Sequence, residues 1–269
     1  MQKDTSKPDY KAFDIPEILD FLFHPRQDYS TETPAGAEDF MISTEKNIFL
    51  GARLFQTDEK LPMILFFHGN GEIASDYDDL GPVYNKLGMN FMAADYRGYG
   101  KSTGSPTVEG MMHDSLKIFD FTKNLMAERG FTGPMIVMGR SLGSASACEI
   151  AQNYQNELDC LIIESGFSRA EPLLKRLGAS TSGMSPKKSF FDNADKLANF
   201  KKPVLIIHAE YDNIIPYSDA RELFESLPEE TDKKLLKIRE ADHNSIFYYG
   251  MNEYLEAILR ISMKCNKNI

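Results

Sequence analysis

Along this 269-residue chain the spacing of apolar positions changes character. Residues 40–57, FMISTEKNIFLGARLFQT, hold two apolar stretches on either side of the polar turn Thr44-Glu45-Lys46-Asn47, which predicts an antiparallel hairpin. Beyond it come short unbroken apolar runs at 63–67 (MILFF), 91–94 (FMAA), 135–138 (MIVM), 160–163 (CLII) and 204–207 (VLII), bounded by Gly, Pro or charged residues. Such runs suit strands covered on both faces, as in a parallel sheet.

Helical spacing fills the intervals. Val108, Met112, Leu116, Phe119 and Leu125 follow Pro106, and Leu223 and Leu227 lie beyond Pro216. A last strand at 235–238 (LLKI) precedes an amphipathic helix with Ile246, Tyr249, Tyr254, Leu255, Ile258 and Leu259. The alternation predicts an α/β fold: a doubly wound, mostly parallel sheet with an N-terminal antiparallel hairpin. The interval 167–202 is long, carrying Leu173, Leu174, Leu177, Met184, Phe190 and Phe191 around a Gly/Ser/Thr stretch at 178–185. It reads either as a crossover helix with a surface loop or as a short cap insertion over a pocket.

Composition then narrows the classes. With 42% hydrophobic and 26% charged residues the chain can bury an ordinary core, and its length suits one domain over 1–269, with an N-terminal arm at 1–20 and the candidate cap at 167–202. No apolar run approaches the roughly 20 residues of a membrane span, and the first residues, MQKDTSKPDYKAFD, lack a signal-peptide core, so no integral membrane segment and a cytoplasmic location are expected. A net charge of −10 would repel a phosphate backbone, so nucleic acid is not an expected partner. The cysteines, Cys148, Cys160 and Cys265, are odd in number and widely spaced, which suggests neither a disulfide framework nor a zinc site and fits a reducing compartment.

The candidate chemistry starts at Gly139-Arg140-Ser141-Leu142-Gly143, a G-x-S-x-G between the apolar run 135–138 and the small-residue start of a helix, SASACEIA. A nucleophilic serine needs such a turn: glycines two positions on either side allow the sharp bend that holds the Ser141 hydroxyl proud of the sheet. The helix that starts there aims N–H groups at the reacting centre. A serine hydroxyl also needs a base and an orienting acid. Asp212 follows the strand at 204–207, and His243 lies between the last strand and the final helix, giving the order Ser, Asp, His.

Other carboxylates and histidines occupy competing positions. Glu164, ending the strand at 160–163, is a second candidate for the acid, while Asp242 reads as a loop or capping carboxylate. His24, His113 and His208 read as structural, and His68 as bracing its loop. An oxyanion needs two N–H donors, which here are Leu142 and, in His68-Gly69-Asn70-Gly71-Glu72, Asn70. The segment Asp95 to Gly104 ends like a phosphate-binding loop, but Asp95 stands where that motif needs glycine, and neither Gly69-x-Gly71 nor Gly98-x-Gly100 completes a dinucleotide fingerprint. It reads as a tight corner hydrogen-bonded by Asp95 and Arg97.

Taken in order, HGNG at 68–71, DYRGYGKS at 95–102, GRSLG at 139–143, HAEYD at 208–212 with Ile215-Pro216, and DHN at 242–244 resemble the α/β-hydrolase superfamily from about Phe21 onward. The nearest resemblance is to small-cap serine hydrolases, which include lipase-like esterases and protein depalmitoylases. The resemblance implies a serine hydrolase for a small ester or acyl substrate, cleaving carboxylic esters or thioesters through an acyl-enzyme, without metal or other cofactor. Ser141, Asp212 and His243 would be its triad, and Asn70 and Leu142 its oxyanion hole. Alternatives are a peptidase or amidase of the same fold, and a non-catalytic binding protein on that scaffold. Many members of this branch begin with a membrane anchor or an acylated cysteine-rich arm, a pattern this sequence lacks, so a membrane-bound substrate is not expected.

Overall fold

The hairpin turn closes because Asn47 accepts the left-handed backbone region, at φ 65°, which short polar side chains tolerate best after glycine. In the computed structural model, which describes residues 9–30, 32–181 and 191–265, this turn joins β1 (Ala37–Glu45) to β2 (Ile48–Phe55). Then come β3 (Met63–Phe67), β4 (Asn90–Ala94), β5 (Met135–Arg140), β6 (Cys160–Glu164), β7 (Val204–Ala209) and β8 (Lys233–Ile238). They form one sheet in the order β1-β2-β4-β3-β5-β6-β7-β8. β2 runs antiparallel to β1 and β4, and β3 through β8 are parallel.

Because successive strand residues point to opposite faces, each unbroken apolar run feeds two cores. Met63, Leu65, Phe67, Val137, Leu161 and Ile163 pack under α3 (Val108–Glu128) and α4 (Gly143–Asn153). Ile64, Phe66, Ile136, Met138 and Ile162 pack with α2 (Gly81–Lys86) and α8 (Ile246–Cys265). α8 kinks at Gly250, where a Cβ would stand 2.6 Å from Ile238 Cγ2 on β8.

The expected arm is more than a polar extension. From Asp9 it forms a 3-10 turn, Tyr10–Phe13, and α1 (Pro16–Leu22), whose Ile18 and Leu22 join the core with Phe13. The expected boundary at residue 20 falls inside α1. Residues 167–202 hold α5 (Ala170–Leu177) and α6 (Asn193–Leu197); Met184, Phe190 and the end of the Gly/Ser/Thr stretch lie outside the described residues. α5 packs on α1, and the Phe13 and Phe191 rings meet edge-on at 5.3 Å.

Two expectations change. The corner after β4 is tight, since a Cβ on Gly100 would meet Asp95 Oδ2 at 2.0 Å, but its polar side chains bond elsewhere. Asp95 accepts from the Ala74 N–H, and Arg97 reaches Glu45 and Asp114. Cys160 and Cys265 are joined as a disulfide, their Cα atoms 5.9 Å apart and 105 residues apart in sequence. That separation carries no local signal: the pair meets only because α8 lies across the start of β6. Cysteine usage therefore gives no argument for a reducing compartment, and the free Cys148 thiol is buried and pushed up to about 12 by that burial. No helix among the described residues is long and apolar enough to cross a membrane.

A buried ion pair fixes α6 to α4. Lys196 Nζ lies 2.8 Å from Glu149 Oε2, which also accepts from Tyr10 Oη at 2.5 Å. Removing one partner of such a pair leaves the other charge buried, at about 3–5 kcal/mol. We expect Lys196→Met to lose about that much in urea unfolding, and Glu149→Gln added to it to recover more than half. A Lys196→Met loss below about 1 kcal/mol would contradict the assigned role of the pair.

Candidate active site

β5 ends at Arg140 and α4 begins at Gly143, so the chain reverses over Ser141 and Leu142. Ser141 takes φ 51°, a region costly to a residue with a side chain and held here by its surroundings. Its N–H donates to the Glu164 carbonyl at 2.8 Å, and its carbonyl accepts from Ser144 Oγ at 2.6 Å. The flanking glycines are required because both positions approach backbone atoms closely. A Cβ at 139 would lie 2.3 Å from the Gly143 carbonyl oxygen, and one at 143 would lie 2.1 Å from that of Phe67 on β3.

The structure brings Ser141, His243 and Asp212 together, all buried. His243 Nε2 lies 3.0 Å from Ser141 Oγ, and Nδ1 lies 2.6 Å from Asp212 Oδ2. An ionised carboxylate only accepts, so Nδ1 carries the proton and Nε2 is left free to take one from the serine. Asp212 is aimed by its other oxygen, Oδ1, which accepts from the N–H groups of Ile214 at 3.0 Å and Ile215 at 2.8 Å.

Asn70 and Leu142 line the same cavity as Ser141, and neither backbone N–H has an acceptor among the described residues. The Asn70 side chain is engaged instead: Oδ1 accepts from the His24 N–H at 2.8 Å and from Tyr99 Oη at 2.7 Å. Glu72 Oε2 accepts from the Gly69 N–H at 2.7 Å, which fixes the same loop from its other end.

Glu164, the rival acid, is turned away from His243. It is buried against Arg140 Nε at 3.1 Å and Tyr254 Oη at 2.7 Å, and burial raises its carboxyl above the usual range although Arg140 opposes this. Asp242 accepts from the Asn244 N–H and from Ser245 Oγ, closing its own loop. His68 Nδ1 bonds the Gly69 carbonyl at 2.8 Å, and His208 Nε2 bonds that of Ile215 at 2.7 Å. Burial lowers the affinity of His208 for a proton. His113 is half-exposed near Glu45 and Asp114, three groups close enough together to hold a metal, but Arg97 already bridges the two carboxylates.

A cavity of about 290 Å³ opens over Ser141. Leu22 of α1, Leu173 and Leu177 of α5, and Ile214 and Ile215 form an apolar wall, while His24, Glu72, Arg140 and Asn244 add polar groups. The arm therefore contributes to the site through Leu22, which the sequence pattern did not single out, and His24, which it assigned to structure. Nothing local marks them: their place at the cavity depends on α1 packing against α5. Arg140, Glu72 and Asn244 were also missed, although each adjoins a residue already singled out.

The family model described as serine aminopeptidase, S33, matches residues 58–193, half of the chain. The lysophosphatidylserine lipase ABHD12 of Rattus norvegicus is 31% identical over 181 residues, covering 61% of this chain and 44% of that protein. The chain thus spans under half the length of that relative. Alpha/beta hydrolase domain-containing protein 17B of Homo sapiens is 29% identical over 237 residues, covering 86% of this chain and 76% of that protein. The Pyrococcus furiosus esterase Pf2001 superposes with a TM-score of 0.73 at 19% identity, covering 89% and 98% of the two chains, a likeness of fold.

The elbow can be tested by filling its closest contact. Gly143→Ala must push α4 off β3, so we expect a stability loss of at least about 2 kcal/mol and loss of Ser141 phosphonylation in the surviving folded fraction. Thermal unfolding beside fluorophosphonate labelling measures both; a variant as stable and as reactive as the wild type would contradict the stated packing.

Proposed function

The chain belongs to the serine aminopeptidase S33 family within the α/β-hydrolases, and from that we propose that it is a serine hydrolase cleaving carboxylic esters or thioesters. The observation that carries the reading is the relay from Asp212 through His243 to Ser141, at 2.6 and 3.0 Å, opening on a cavity rather than on packed core. Ser141 Oγ attacks the substrate carbonyl while His243 Nε2 takes its proton, and Asp212 holds the imidazole in the competent tautomer and stabilises it once charged. The tetrahedral oxyanion is held by the N–H groups of Asn70 and Leu142. His243 then protonates the leaving group, and water, activated by the same nitrogen, releases the acyl group from Ser141.

The cavity supports a single, modest acyl chain. A volume of about 290 Å³ holds roughly ten groups of a water molecule's size, and its wall is aliphatic. We read residues 167–202 as a cap, with Leu173 and Leu177 joining Leu22 in the apolar wall of the cavity, on one hydrolase domain spanning 1–269. The relative named as a lysophosphatidylserine lipase supports an ester with one acyl chain.

The family name raises an aminopeptidase as a second reading. A free substrate amine needs an available carboxylate, and among the described lining residues the carboxylate is Glu72, which Arg140 already engages. A scaffold without catalysis is disfavoured by the alignment of His243 on Ser141.

We expect Ser141→Ala and His243→Ala to abolish hydrolysis of p-nitrophenyl esters, and Ser141→Ala to abolish fluorophosphonate labelling. Undiminished turnover in Ser141→Ala would sink the proposal. Across an acyl series, kcat/KM should rise with chain length and then fall once the acyl group exceeds roughly ten heavy atoms, with Leu177→Trp moving the maximum to shorter chains. A flat series would reject the cavity as the acyl site.

A further inference from the structure

Arg140 takes no part in the relay, yet its guanidinium is where three segments of the site meet. Its side chain is 11% exposed and stands at the end of β5, next to Ser141. Nε donates to Glu164 Oε1 on β6, Nη1 donates to Glu72 Oε1 in the loop after β3, and Nη2 donates to the His243 backbone carbonyl at 3.0 Å and to Asn244 Oδ1 at 3.3 Å.

Each partner is tied to a working part. Glu72 fixes the course of the chain into Asn70, because its Oε2 accepts from the Gly69 N–H and from Tyr77 Oη at 2.6 Å. The Glu164 carbonyl anchors the Ser141 N–H. The carbonyl bonded by Nη2 belongs to the residue whose ring receives the proton. Packing is equally direct: a Cβ on Gly69 would stand 2.7 Å from Arg140 Nη1 and 2.9 Å from Glu72 Oε2.

We propose that Arg140 is a positioning residue that holds the His243 imidazole and the Asn70 N–H in register on one substrate carbonyl, an inference that rests on the hydrolase reading of Ser141. Three acceptor directions explain why the residue is arginine. Its planar fork presents five N–H donors at fixed angles, whereas a lysine ammonium could neutralise Glu72 or Glu164 but not also reach the His243 carbonyl. Burial opposes the charge, but Glu164 and Glu72 outweigh it and hold the guanidinium above its ordinary range. Without the cation, two carboxylates would face each other across the base of the site and push the oxyanion loop away from the elbow.

Kinetics on p-nitrophenyl butyrate with Arg140→Gln, Arg140→Lys, Glu72→Gln and Ser141→Ala tests this. Displacing reacting groups by about 1 Å costs on the order of 10²-fold, so kcat of Arg140→Gln should fall by about that factor with KM changed less than about threefold. Arg140→Lys should recover only a minor part of the loss, and the rate of fluorophosphonate labelling should fall in parallel. The low-field proton resonance of the His243–Asp212 hydrogen bond should shift or broaden in both variants, which a purely structural ion pair would not cause. Folded Arg140 variants with kcat within about twofold of wild type, whatever their melting temperature, would overturn the assignment. If neither folds, Glu72→Gln decides: it keeps the shape and the Gly69 acceptor, and we expect about a tenfold loss in kcat, whereas a change within about twofold would overturn the inference. A fully active Ser141→Ala would instead overturn the hydrolase reading. An inactive Ser141→Ala beside intact Arg140 and Glu72 variants would remove the role of Arg140 alone.

Discussion

The contact of α4 with β3 and β5 around Ser141 governs the rest of the site. Gly143 lies so close to the Phe67 carbonyl, and Gly139 to that of Gly143, that neither position has room for a single carbon. That proximity forces the reversal at Ser141 into positive φ, and it leaves Leu142 lining the cavity with a backbone N–H that has no acceptor among the described residues. Everything else approaches this fixed point from the carboxyl ends of parallel strands, as an open α/β sheet requires. His243 and Asp212 arrive from the loops after β8 and β7, and Asn70 from the loop after β3.

Charge is arranged around the elbow on a different scale from the net −10 of the chain. Beneath the serine, Arg140 is surrounded by Glu72 and Glu164, whose remaining oxygens accept from Tyr77 and Tyr254. A second buried pair, Lys196 with Glu149, serves the other side of α4 and binds the arm through Tyr10. The two clusters differ in purpose. One lies among the loops that carry candidate chemistry, the other between helices, where it fixes how α6 and the arm lie on the core. Net charge bears on bulk polyanions, whereas both clusters act over a few ångströms.

The cavity is closed by parts distant in sequence. α1 and α5 are each too short to be stable alone, and each buries an apolar side on the other and on the core. Leu22 and Leu177 become neighbours of Ser141 only through that packing, and His24 is carried to Asn70 by the same docking. The acyl-chain preference proposed for this cavity is then a property of the α1–α5 contact.

The order and type of the sheet elements were legible in the sequence because each buried strand is a local run of apolar residues between turn residues, and local pattern survives without tertiary information. That Ser141, Asp212 and His243 come together was legible for a related reason: each stands beside a strand end, at a glycine-bounded turn or in a short loop, and their chain order adds a constraint. What the sequence could not determine were meetings across long separations. Cys160 finds Cys265, Arg140 joins Glu72 to the His243 carbonyl, Glu164 turns to Arg140 rather than to His243, and Leu22 joins Leu173 and Leu177 in lining one cavity. Each depends on the angle and depth at which helices dock on the sheet, which is set by packing in three dimensions and has no fixed spacing along the chain.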